Sequence, residues 1–156
     1  MIPRNHWLVA GGVLSLAAAA LHVAVIAGGA DWYRFFGAGE EMAVAAERGS
    51  AMPAVVTFAI AALLSIWAAY AFAGVGLIRR LPLMRTALVL ISAIYLLRGL
   101  ILLPLLALIP GAWANIGSFD IWSSLIVLIL GAAYAVGTWR AWPSLSKAKV
   151  PHALGS

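Results

Sequence analysis

The chain of 156 residues is 65% hydrophobic and only 10% charged, and its mean hydropathy is +1.04. Water-soluble domains carry about 25% charged residues, so this composition excludes a soluble fold. The net charge of +5 does not indicate nucleic-acid binding, because excess Lys and Arg in a multi-pass membrane protein act as cytoplasmic topology signals. With no cysteine and three widely spaced histidines, the chain is expected to hold neither a disulfide nor a metal or other cofactor.

Four apolar segments are long enough to cross a bilayer, since a transmembrane helix needs about 20 apolar residues. They cover approximately residues 8–29, 53–78, 86–109 and 119–139. We therefore predict an all-α integral membrane protein, a four-transmembrane-helix bundle that forms a single domain over residues 1–142. Residues 143–156 are polar and contain prolines, which predicts a flexible cytoplasmic tail.

The charges of the connecting segments predict the orientation of the bundle. Basic residues cluster before span one, between spans two and three, and after span four: Arg4, Arg79, Arg80, Arg85, Arg140, Lys147 and Lys149. Acidic residues outnumber basic ones in the first link, and the third link has no Lys or Arg. The positive-inside rule then places both termini in the cytoplasm. The expected location is a bacterial cytoplasmic (inner) membrane, with the lipid bilayer as the surrounding partner.

The first outer link is predicted to contain a short amphipathic helix at about residues 32–49. Its aromatic start, Trp32–Phe36, is interrupted by Gly37-Ala38-Gly39. Glu40 and Glu41 then fall in the first turn of a helical stretch, where acidic side chains are favoured. A segment of this kind either lies flat on the membrane surface or folds as a lid over a bundle, and the sequence leaves both options open.

Small and polar side chains mark the faces that pack inside a membrane bundle. In span three, Ser92, Tyr95 and Arg98 recur every three residues, and in span one Ser15 and His22 are seven residues apart. The other two spans carry comparable stripes: Thr57, Ala61, Ser65 and Ala68 in span two, and Asp120, Ser123, Ser124, Val127, Gly131, Tyr134 and Thr138 in span four. We expect all four stripes to face the interior.

Arg98 dominates the functional interpretation because it lies within a long apolar run. A guanidinium at mid-bilayer costs about 2.5–3.5 kcal/mol on insertion scales, so a carboxylate, backbone carbonyls, water or an anionic ligand must solvate it. Pro104, within span three, is expected to kink or break that helix. If the regular helix stops near Leu103, Arg98 lies close enough to the outer surface to meet an acidic side chain there.

These features predict an outward-facing polar pocket with Arg98 on its floor. The further candidate ligand-binding residues are His22, Asp120, Glu40, Glu41 and Tyr95. Structural roles are the alternatives: an ion pair that fixes helix packing for Arg98, a hydrogen bond to a carbonyl for His22, and simple packing for Tyr95.

The leading hypothesis is binding or transport of a small anionic or amphipathic ligand. A transporter of four spans would need a partner copy, so a homodimer is expected in that case. One alternative is a membrane enzyme acting on a lipid or isoprenoid, with His22 and an acid as general acid–base groups. Another is an accessory or assembly subunit of a larger complex, in which Arg98 pairs with a partner's acid. No nucleotide-binding glycine loop, Gly-x-Ser-x-Gly or His-Glu-x-x-His motif occurs, so the sequence leaves open whether the chain is an enzyme.

Overall fold

A computed structural model describes residues 5–101 and 117–145 of the chain. These residues form six α-helices and, within the two described ranges, no β-strand. The helices are α1 (His6–Gly28), α2 (Ala30–Phe35), α3 (Glu40–Glu47), α4 (Met52–Gly74), α5 (Met84–Leu100) and α6 (Ser118–Leu145). The predicted all-α class is confirmed.

Three helices are long and apolar enough to cross a membrane: α1, α4 and the Phe119–Leu145 part of α6. They correspond to predicted spans one, two and four, which supports the class of helical membrane protein. The described part of predicted span three is α5, which ends at Leu100. Pro104 and the rest of that span, together with residues 146–156 of the predicted tail, lie outside the described residues. The number of spans therefore stays a prediction.

The last span is longer than the sequence predicted. It continues past Trp139 to Leu145, so the first residues assigned to the flexible tail are helical. Arg80 and Arg85 donate hydrogen bonds to carbonyl oxygens in this added part of α6. Such bonds satisfy carbonyls that a helix end otherwise leaves without partners.

The long helices pack as two close pairs. α1 packs along α4 and α5 along α6, and contacts between α1 and α6 join the pairs. Two glycines allow α5 and α6 to approach closely. A Cβ atom added to Gly99 would lie 2.8 Å from the backbone nitrogen of Leu128, and one added to Gly131 would lie 2.8 Å from that of Leu96. Small residues are common at helix crossings in membrane bundles, because helices associate there by close van der Waals packing and not by the hydrophobic effect.

One end of the bundle, here called the basic end, gathers the start of α1, the last turn of α4, the start of α5 and the last turns of α6. The amide of Asn5 donates to the carbonyl oxygen of Gly137 at 2.6 Å. Leu8 is fully buried and lies against Gly74 and Gly137. The helices α1, α4, α5 and α6 therefore alternate in direction. This geometry agrees with the predicted orientation, although the side of the membrane at which each end lies remains a prediction.

The opposite end, here called the acidic end, carries α2 and α3. Val25, Tyr33 and Ala43 form a small core of their own that fastens both short helices to the end of α1. The Phe36 ring meets that of Phe119, at the start of α6, edge to face with 6.1 Å between ring centres. The predicted amphipathic segment is thus two helices packed over the bundle end, an arrangement that favours a lid over a helix lying flat on the surface.

Burial is uneven along the bundle. In α6 most buried residues fall between Leu130 and Ala141, toward the basic end, whereas from Phe119 to Ile129 only Ser124 is buried. The half of the bundle near the acidic end is therefore less tightly packed among the described residues. Arg98 belongs to that half.

Candidate functional site

Arg98 lies in the last turn of α5, and its side chain is exposed. Ser92 and Tyr95, the other members of the predicted stripe, are buried. A helix turns by about 100° per residue, so each step of three residues falls about 60° short of a full turn. Arg98 consequently lies well around α5 from Ser92, and Gly99 takes the buried position instead.

The surroundings of Arg98 are aliphatic. Ile94, Leu97 and Ile101, about one turn or less away, are 47%, 69% and 60% exposed. Arg98 follows Arg85 by 13 residues, which corresponds to a rise of about 20 Å along the helix. In a hydrocarbon layer about 30 Å thick that began at Arg85, the Arg98 backbone would lie about 10 Å from the other edge.

No described carboxylate forms an ion pair with Arg98, and three of the four acids of the lid contact another arginine. Arg34, on α2, donates to both oxygens of Glu40, through Nε at 2.9 Å and Nη2 at 2.7 Å. Its Nη1 donates to Glu47 at 2.6 Å and lies 3.7 Å from Asp31. One guanidinium therefore connects α2 to both ends of α3.

The Arg34 contacts also change the pKa of a carboxyl group in the lid. The hydrogen bonds from Arg34 lower the pKa of Glu40 below its ordinary value. A carboxyl group with a lowered pKa stabilises the folded arrangement above its ordinary pKa, and this contribution is lost as the pH falls through the lowered value. The connection is therefore intact at neutral pH and weakens only in acid.

Glu41 faces an open cavity on the exposed side of α3. The cavity has a volume of about 490 Å³, with two acids toward one end and an arginine toward the other; it is lined by Glu40, Glu41, Val44, Ala45, Arg48 and Ser50. Of the six predicted site residues, only Glu40 and Glu41 reach it.

His22 and Asp120 make local contacts. The Nδ1 atom of His22 lies 2.7 Å from the carbonyl oxygen of Ala18, one turn earlier in α1, so Nδ1 carries the proton and donates it. Asp120 accepts a hydrogen bond at 2.9 Å from the backbone N–H of Gly117, just before α6. An acid in the first turn that binds back to the preceding N–H stabilises the helix start.

Tyr95 belongs to a chain of buried hydroxyl groups in the middle of the bundle. The Ser15 Oγ lies 2.9 Å from the Tyr95 hydroxyl and 3.0 Å from the Tyr134 hydroxyl. The Tyr134 hydroxyl in turn donates to the carbonyl oxygen of Trp67 at 3.0 Å. Because each hydroxyl has one proton, Ser15 must donate to Tyr134, and Tyr95 must donate to Ser15.

The chain of buried hydroxyl groups connects α1, α4, α5 and α6, and aromatic contacts hold it in place. The rings of Trp67 and Tyr95 meet edge to face at 4.8 Å between centres, and those of Tyr95 and Tyr134 lie 5.5 Å apart. Ser15, Tyr95 and Tyr134 were each predicted to face inward, but their mutual contact was missed. The three residues lie at similar distances along their helices from the basic end, and this was the sequence signal that could have revealed their contact.

The fold is all-helical with three helices long and apolar enough to cross a membrane, and the described residues contain no group of three His, Cys, Asp or Glu arranged to hold a metal. Comparison with protein-family models, curated proteins and solved structures finds no match for the chain. Its function is therefore inferred from its own residues.

Proposed function

We propose that the chain is a small four-span protein of the bacterial cytoplasmic membrane, with both termini in the cytoplasm, that binds or transports a small anionic amphiphile through Arg98. The observation that carries the proposal is the environment of Arg98: a permanent charge on the outer surface of the bundle, among exposed aliphatic side chains and with no ion-pair partner in the described residues. A charge in hydrocarbon requires a counter-ion or a polar solvation shell.

The environment of Arg98 also indicates the class of ligand. A carboxylate or phosphate would accept charge-assisted hydrogen bonds from the guanidinium, in the two-point geometry that arginine favours. Leu90, Ile94 and Leu97 form an exposed aliphatic strip on α5 leading away from Arg98 toward the basic end. An alkyl chain attached to the anion would bury apolar surface along this strip. A fully polar anion would gain only the first of these contacts.

The exposure of Arg98 supports one second candidate, an accessory or assembly subunit. A side chain on the outer surface of the bundle is accessible to a carboxylate on a helix of another protein. The same charge would then be neutralised by a partner subunit instead of a ligand. The enzyme alternative has no comparable support, since His22 binds the carbonyl oxygen of its own helix and contacts no described acid.

Native mass spectrometry of the purified protein tests the proposal. We expect a defined anionic amphiphile on wild type that is lost from Arg98→Gln. Loss of a charge-assisted hydrogen bond, about 1.5–3 kcal/mol, corresponds to binding about 10- to 100-fold weaker. Arg48→Gln is the matched control, because Arg48 is also an exposed arginine of the acidic end. The same spectra report whether the protein is a homodimer, as transport by four spans requires.

The other outcomes separate the candidates. A polypeptide that co-purifies with wild type and is lost from Arg98→Gln would favour the accessory subunit. Identical bulk lipid on wild type and both variants would contradict the ligand proposal. Because Arg98 makes no hydrogen bond or ion pair with a described residue, we expect Arg98→Gln and Arg98→Leu to fold.

A further inference from the structure

The basic end of the bundle holds arginines but no acidic side chain. The whole chain has five acidic residues: Asp31 in α2, Glu40, Glu41 and Glu47 in α3, and Asp120 in the first turn of α6. All of them belong to the acidic end. Arg79, Arg80, Arg85 and Arg140 lie at the other end, so the side chains described at the basic end carry a net positive charge.

Two of these arginines converge on the end of α6. Arg80 Nη2 donates to the carbonyl oxygen of Ser144 at 2.5 Å, and Arg85 Nη2 donates to that of Trp142 at 3.2 Å. Because the two carbonyls are only two residues apart, both guanidinium groups lie around the same helix end. A helix C-terminus carries about half an elementary negative charge, which is much less than the two positive charges gathered there.

The Arg85 side chain also has hydrogen-bonding capacity beyond its bond to α6. A guanidinium has five N–H donors, and the carbonyl oxygen of Trp142 takes one of them. The Nε of Arg85 is buried without a hydrogen-bond partner, while its guanidinium carbon lies 4.5 Å from the centre of the Trp142 ring. An anion with several acceptor oxygens is the partner that such an arrangement favours.

The position of this arginine pair along the bundle indicates where the anion comes from. Trp7, Trp139 and Trp142 surround the basic end and are 42%, 80% and 42% exposed. The guanidinium carbon of Arg140 lies 5.8 Å from the centre of the Trp7 ring. Exposed tryptophans at helix ends mark the level of lipid headgroups, so Arg80 and Arg85 lie at the depth of the lipid phosphates.

We propose that Arg80 and Arg85 form a binding site for an anionic phospholipid of the leaflet at the basic end, with the headgroup phosphate held between the two guanidinium groups at the C-terminus of α6. The site is separate from Arg98, which lies about 20 Å from Arg85 along α5. The lipid would supply negative charge at an end of the bundle that has no acidic side chain, and it would strengthen the attachment of α6 to the link between α4 and α5.

Lipid retention in a mixed bilayer tests this site. Wild type is reconstituted into nanodiscs of phosphatidylcholine and phosphatidylglycerol, and native mass spectrometry measures the ratio of the two lipids that stay bound. We expect phosphatidylglycerol to be enriched over its share of the bilayer. Each arginine near an anionic membrane surface contributes about a fivefold preference, so Arg85→Gln should reduce the enrichment about fivefold and Arg80→Gln/Arg85→Gln further.

A control variant and a competing anion separate the Arg80–Arg85 site from a general effect of positive charge and from a site for a free anion. Arg48→Gln should keep the enrichment, and an equal loss of enrichment in Arg48→Gln and Arg85→Gln would overturn the proposal. Displacement of phosphatidylglycerol by inorganic phosphate would overturn it as well, since the site would then recognise a free anion. If Arg80→Gln/Arg85→Gln fails to fold, the lipid ratio retained by wild type still tests the site. Retained lipid with the composition of the bilayer would refute the site. Enrichment of phosphatidylglycerol that decreases with added salt would support it.

Discussion

Replacing Ser15 with alanine interrupts the buried hydroxyl chain at its centre. Ser15 accepts from the Tyr95 hydroxyl and donates to the Tyr134 hydroxyl, so Ser15→Ala removes two hydrogen bonds between helices. The consequences for the two tyrosines differ. Tyr134 still donates to the carbonyl oxygen of Trp67, whereas the Tyr95 hydroxyl becomes a buried donor without an acceptor.

The expected magnitude follows from this count. Hydrogen bonds between membrane helices contribute about 0.6 kcal/mol on average and up to about 1.7 kcal/mol. Two of them plus an unsatisfied donor, at about 1 kcal/mol or more, give a loss of about 2 kcal/mol in the free energy of unfolding for Ser15→Ala. Tyr95→Phe removes one bond and leaves no donor unsatisfied, so its expected cost is about 0.6 kcal/mol.

Reversible unfolding in mixed detergent micelles, followed by the loss of helical circular dichroism, measures these changes. Ser65→Ala is the matched control, because Ser65 donates only to the carbonyl of Ala61 in its own helix, and we expect little change. The donor–acceptor direction of these hydrogen bonds makes a sharper prediction. Adding Tyr95→Phe to Ser15→Ala should restore part of the lost stability, since it removes the unsatisfied donor. A double variant less stable than Ser15→Ala would refute this assignment of the protons.

Three further predictions concern the packing, the lid and the orientation. Gly131→Val should destabilise the protein by about 2–3 kcal/mol in the same assay, because α5 leaves no room for a side chain there. Arg34→Gln should speed amide hydrogen exchange in α3 at neutral pH, and wild type should show the same change only in acid, below the ordinary pKa of a glutamate. In intact cells a membrane-impermeant maleimide should label a cysteine at Ser50→Cys but not one at Ser144→Cys; the chain has no cysteine of its own.

Each of these predictions has a control or a contradicting result. Ala132 follows Gly131 but is exposed, so Ala132→Val should change stability by less than about 0.5 kcal/mol; an equal cost for both variants would argue against the close crossing of α5 and α6. Glu41→Gln should leave exchange in α3 unchanged, since no described side chain binds Glu41. Labelling of Ser144→Cys in intact cells would contradict the predicted orientation.

Composition and hydropathy were enough to predict the membrane helices α1, α4 and α6, because a bilayer imposes a length and an apolar character on any segment that crosses it. Small and polar residues at helical spacing also predicted that Ser15, Tyr95 and Tyr134 face inward. The glycines around residue 38 predicted the interruption of the lid: Gly37 and Gly39 adopt positive φ angles of 67° and 97°, which glycine reaches without strain.

The candidate site was less predictable, because its members depend on rotation and on neighbours. Steps of three residues drift around a helix, so the same pattern that correctly placed Ser92 and Tyr95 inside also assigned Arg98 to the interior, where the structure has Gly99. One of the acids that the sequence suggested as partners of Arg98, Glu40, binds a nearer arginine. Arg34 is only six residues from Glu40 along the chain and donates hydrogen bonds to it.

The amino-acid sequence by itself determined three properties: the apolar character that suits the long helices to a bilayer, the length of those helices, and the separation of acidic and basic residues to opposite ends. Those properties depend on composition and local order, which a linear pattern records. Only the tertiary structure decided which hydroxyl meets which, that Arg34 holds the lid, and that Arg98 faces outward. Each of these depends on the rotation of one helix against another, and a rotation of one residue position, about 100°, is enough to exchange an interior side chain for a lipid-facing one.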